Sequence, residues 1–71
     1  MKIDRKKVAE NLIQLRGKKT QSYIARELGI AQSTYALYET GKRVPSDDVK
    51  VTIAAYYRKS VQEIFFNTII A

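Results

Sequence analysis

The chain predicts an all-α fold, a compact arrangement of five short helices, and three observations predict it. Apolar residues recur at helical rather than alternating spacing. Residues suited to capping helix starts (Asp4, Thr20, Ser46 and Ser60) stand before those apolar-periodic runs. Gly17, Gly29 and Gly41 each follow one, where a left-handed terminating residue is wanted. No run shows a strand pattern, and no linker, low-complexity tract or repeat interrupts the chain.

The first helix is expected from about Arg5 to Arg16, with Asp4 accepting bonds from the unpaired N–H groups of its first turn. Val8, Leu12 and Leu15 share one face, and Ile13 is expected to widen it. The second runs from the Thr20 cap to near Leu28 and buries Ile24, Ala25 and Leu28, leaving Tyr23 and Arg26 outside. The third covers Gln32 to about Thr40. It turns Tyr35 and Tyr38 inward, their hydroxyls reaching the domain edge because a buried tyrosine needs a partner for its O–H. The fourth is capped by Ser46, carries Asp47 and Asp48 where negative charge suits the macrodipole, and buries Val49, Ile53, Ala54 and Tyr57. The fifth opens with a capping box, Ser60 to Glu63, and presents Val61, Ile64 and Phe65.

Seventy-one residues make one domain with a barely sufficient core. Without cysteine, neither a disulfide nor a thiolate metal site braces it, so stability rests on packing or on an oligomer. No apolar run approaches the roughly 20 residues that span a bilayer, and no signal-peptide pattern opens the chain, so a cytoplasmic protein with no membrane partner is expected. A net charge of +6 favours phosphate polymers. Catalysis is poorly supplied: histidine and cysteine are absent, and the acids have local structural readings. No enzyme, metal or cofactor is expected.

Thr20 to Gly41 describes two amphipathic helices joined by a tight turn at Gly29, the second carrying Gln32, Ser33, Ala36 and Leu37 opposite its apolar positions. A helix so built can enter the DNA major groove, where each base pair displays a distinct donor and acceptor pattern. The run T-Q-x-x-I-A-x-x-L-G-I, then S-T-Y-x-x-Y-E-x-G-K-R-x-P-S, I-A-x-x-Y and S-V-Q-E-I-F resembles the lambda repressor and Cro-type helix-turn-helix regulators over residues 8 to 65.

That resemblance implies a sequence-specific DNA-binding regulator, a small repressor of the kind found in phages and mobile elements, nucleoid-associated when bound. Gln32, Ser33, Ala36 and Leu37 would meet bases. Gln21 would contact phosphate and brace the recognition helix. Thr40, Lys42 and Arg43 would grip phosphate after it, with Thr20, Lys18 and Lys19 added from the turn before the second helix. Glu39 would pair with Arg16. The sequence departs from the family in a short G-K-K turn after Arg16, in Tyr35 and Tyr38 for aliphatic residues, in Lys50 and Lys59 at often apolar positions, and in Leu37 at a position more often polar.

Residues 1–66 are read as the DNA-binding domain and 67–71 as an apolar tail. Phe66, Ile69 and Ile70 suit a two-fold interface that sets two recognition helices one DNA turn apart, or else a flap over the domain's own core. Arg5 to Lys7 read as a solvated basic surface. A different reading is a protein-interaction adaptor, in which the tail and Leu37 dock a protein partner.

Overall fold

The computed structural model describes residues 3–66. Among them are four α-helices, α1 (Arg5–Arg16), α2 (Gln21–Leu28), α3 (Gln32–Glu39) and α4 (Asp47–Tyr57), then a π-helical segment, Gln62–Phe66, and no strand. The fold is all-α.

Local chemistry sets the boundaries. Asp4 Oδ1 accepts from Lys6 N and Lys7 N at 3.1 and 3.2 Å, Thr20 Oγ1 from Tyr23 N at 3.0 Å, and Ser46 Oγ from Val49 N at 3.5 Å. These bonds take up N–H groups that the first turn of a helix leaves unpaired. Ser60 and Glu63 close the capping box, with bonds of 2.9 and 3.0 Å in the two directions. The segment that follows winds as a π-helix rather than the α-helix expected. Asn11 Nδ2 ties it to α1 by donating to Ile64 O at 2.9 Å.

α2 ends on Gly29 in the left-handed region, where Ile30 N reaches back to Ala25 O. α4 ends the same way on Arg58, at φ 57°, with Lys59 N donating to Ala54 O. The sequence places that helix end near Arg58 although no glycine marks it.

The core is one cluster: Val8 and Leu12 of α1, Ile24, Ala25 and Leu28 of α2, Tyr35 and Tyr38 of α3, Ile53 and Ala54 of α4, and Ile64 and Phe65. The two α3 tyrosines meet edge to face, 6.4 Å between centroids.

Two inward expectations are corrected. Ile13 does not widen the buried face of α1; it is 46% exposed, because Val8, Ala9 and Leu12 already fill the face that packs on α3 and the π-helical segment. The Tyr35 hydroxyl does not reach the domain edge either. Tyr35 is wholly buried, and its Oη and that of Tyr57 lie in the interior without a hydrogen-bond partner.

Lys50 resolves its apolar-looking position by snorkelling. Its side chain is mostly covered, while Nζ sits 3.4 Å from Asp47 Oδ1 and 5.4 Å from the Phe66 ring centroid.

Candidate nucleic-acid interface

α3 presents two kinds of position away from the core. Gln32 and Ser33, in its first turn, are exposed; Ala36 and Leu37, one turn on, are half-buried. The amide and the hydroxyl therefore stand free, whereas Leu37 offers only part of its surface. Ala31, at the N-cap, supplies no side-chain bond to the first N–H groups of α3.

The far end of α3 is fixed by one buried carboxylate. Glu39, 5% exposed, accepts Arg16 Nε at 2.7 Å on one oxygen, and Arg16 Nη2 and Gln21 Nε2, each at 2.9 Å, on the other. Arg16 Nη1 also donates to Lys19 O at 2.7 Å. The guanidinium thus joins α1, the turn after it and α3, and the short turn at Gly17 accommodates the pair. Burial on its own would raise the Glu39 carboxyl, but the bonds from Arg16 and Gln21 outweigh it and hold the group below the usual carboxylate range. The Glu39 bond raises the Arg16 guanidinium in turn. A carboxylate held this way adds little repulsion toward a phosphate backbone, because its charge is matched within the domain.

The turn after α3 is closed on itself. Thr40 N donates to Ala36 O, Gly41 N to Tyr38 O, and Lys42 N and Arg43 N both to Leu37 O. Thr40 Oγ1 donates to the same Leu37 carbonyl at 3.1 Å. Backbone and hydroxyl donors expected to face phosphate are therefore engaged within the fold. The donors left for a ligand are the exposed side chains of Lys42 and Arg43, neither of which has an ion-pair partner among the described residues.

At the start of α2, Thr20 Oγ1 caps the helix and lies 3.2 Å from Ser22 Oγ, while half-buried Gln21 spends its amide N–H on Glu39. Lys18 and Lys19 are exposed, and Lys19 Nζ rests 4.7 Å from the Tyr23 ring centroid. The resemblance implies a brace from Gln21 to the recognition helix but not Glu39 as its partner, and the Lys19–Tyr23 stack is not foreseen. Each joins residues whose spacing means nothing until the helices are set against one another.

The profile of the helix-turn-helix family matches residues 7–64, from the first turns of α1 into the π-helical segment. The chain belongs to the lambda repressor/Cro-type helix-turn-helix family. No curated protein and no solved structure matches it. As a member of that family it is a DNA-binding domain of the transcription-regulator type, and the family is regulatory rather than enzymatic. In helix-turn-helix terms, α2 and α3 are the two motif helices and α3 is the recognition helix. Phe66 is half-buried and packs against the core, whereas Ile69 and Ile70 lie outside the described residues. Among the described residues no helix is long and apolar enough to cross a membrane.

Proposed function

We propose that this protein is a sequence-specific repressor that binds a pseudo-palindromic operator in duplex DNA as a homodimer, acting in the cytoplasm and on the nucleoid. The observation that carries this is the exposed start of α3, Gln32 and Ser33, presented from a helix whose other end is anchored by Glu39 to both α1 and α2. Gln32 suits adenine, whose N6 and N7 match an amide bidentately. Ser33 and the small Ala36 allow close approach to base edges, and the exposed part of Leu37 suits a thymine methyl. Lys42 and Arg43, with Lys18, Lys19 and the first turn of α2 at Thr20 and Gln21, would set register on the phosphates without reading sequence. With few long polar side chains on α3, groove shape and deformability carry part of the specificity.

Repression would follow from occupying a promoter. Dimerisation through the segment beginning at Phe66 would place two recognition helices roughly 34 Å apart, one DNA turn. It is supported by the apolar tail sequence and by a small core that gains from further burial.

Selection of bound sites from random duplex DNA by the full chain tests the reading. The expected result is an enriched pseudo-palindrome with half-sites about one turn apart. Failure to enrich any sequence, together with tight binding to a protein, would instead favour the adaptor role.

A further inference from the structure

The start of α1 is packed against the turn that follows the recognition helix. Gly41 adopts φ +75°, and a Cβ placed on it would stand 3.4 Å from the Arg5 carbonyl oxygen and 3.8 Å from Arg5 Cβ. The Arg5 side chain therefore leaves α1 beside Gly41, one residue before the exposed pair Lys42 and Arg43. Arg5 is itself exposed and has no ion-pair partner among the described residues. The acids closest in sequence are turned to other work. Asp4 caps α1 through the N–H groups of Lys6 and Lys7, and Glu10 lies 4.0 Å from Lys7 Nζ.

We infer that Arg5 is a DNA-backbone contact, extending the phosphate-binding edge from the Lys42–Arg43 turn onto the first turn of α1. The inference rests on the DNA-binding reading above. It replaces the view of this arginine as solvated surface, which its sequence position alone favours. Two cationic segments, distant in the chain, are brought side by side at the end of the recognition helix, and the charge of a duplex backbone complements both. A guanidinium suits that role, because its planar fork meets two phosphate oxygens at once.

The test is a titration of the full chain against a duplex carrying its selected site, over a series of salt concentrations, for wild type, Arg5→Gln and Lys59→Gln. Lys59 serves as the control for net charge: it lies beside Glu63 and Gln14 in the groove between α1 and the π-helical segment. Each phosphate contact contributes about 0.9 to the slope of log affinity against log salt. Arg5→Gln is expected to flatten the slope by about that amount while leaving base preference unchanged, and Lys59→Gln to leave the slope at the wild-type value. An unchanged slope in Arg5→Gln, or an equal change in both variants, overturns the proposal. A wild-type chain with no salt-dependent duplex affinity overturns the DNA-binding reading itself, a separate and recognisable outcome.

Discussion

Gln21 Nε2 and Glu39 Oε1, 2.9 Å apart, tie the first residue of α2 to the last residue of α3. The two helices of the motif are thus joined by a bond between side chains as well as by apolar packing. Arg16 completes the junction from α1, and Glu39 is left with both oxygens engaged by donors. The orientation of the recognition helix is therefore fixed at the end opposite its exposed Gln32 and Ser33.

Removing the arginine leaves a buried charge with one amide for company. Arg16→Ala is expected to destabilise the domain by about 3 kcal/mol, the low end for a buried charge that loses its partner, because the Arg16 side chain is itself one-fifth exposed. Arg16→Lys should recover only part of this, since an ammonium cannot reproduce the fork that grips both oxygens. Urea unfolding midpoints measure both variants, and an Arg16→Ala midpoint equal to wild type would show that the junction contributes nothing.

The same carboxylate sets an acid limb on stability. Its folded pKa lies below the ordinary 4.5, so the unfolded chain takes up the proton more readily. Stability from ionised Glu39 is then fully present above about pH 4.5 and is lost as the pH falls through the folded value. Glu39→Gln should lower stability near neutrality and flatten its fall below that pH, with the residual slope due to Glu63, held down by the Ser60 N–H. Equally steep acid limbs in wild type and Glu39→Gln would assign the effect to other groups.

Tyr35 brings a hydroxyl into the interior close to Glu39 and Tyr57 but with no hydrogen bond of good geometry, and burial, followed by the nearby Glu39 carboxylate, raises its pKa far above the ordinary phenol value. An unsatisfied buried hydroxyl costs about 1–3 kcal/mol, whereas the ring alone supplies the packing. Tyr35→Phe is accordingly expected to be at least as stable as wild type, with an equal or higher Tm. A clear loss of stability would mean that the hydroxyl bonds to the Glu39 carboxylate after all.

These outcomes bear on what a sequence can disclose. Helix starts were legible at Asp4, Thr20, Ser46 and Ser60 because a cap acts over two or three residues. Inward faces were legible where periodicity was strong, as at Ile24, Ala25 and Leu28. Ile13 misled because an apolar side chain next to a buried stripe is covered only if a neighbouring element reaches it, which depends on tertiary placement. The end of α4 near Arg58 was legible, but its left-handed cap was not, since that conformation is usually marked by glycine. At the interface, the exposure of Gln32 and Ser33 followed from helix phase alone. The engagement of Thr40 and of the following N–H groups by the Leu37 and neighbouring carbonyls did not, since it depends on how the chain folds back after α3.

Division of labour across the interface supplies the last prediction. Gln32 stands exposed where α3 would enter the groove, and Lys42 stands exposed in the turn beyond it. An amide that reads adenine is worth about 1–3 kcal/mol against the wrong base, whereas a lysine on phosphate favours every sequence alike. Gln32→Ala should therefore relax preference at one position of each half-site, costing affinity for the selected duplex but little for a random one. Lys42→Ala should weaken both duplexes by similar factors and flatten the salt slope by about 0.9. Site selection repeated with each variant separates the two roles. A Gln32→Ala logo identical to wild type would remove this residue from direct readout, and a Lys42→Ala logo altered at one position would move the lysine from phosphate to base.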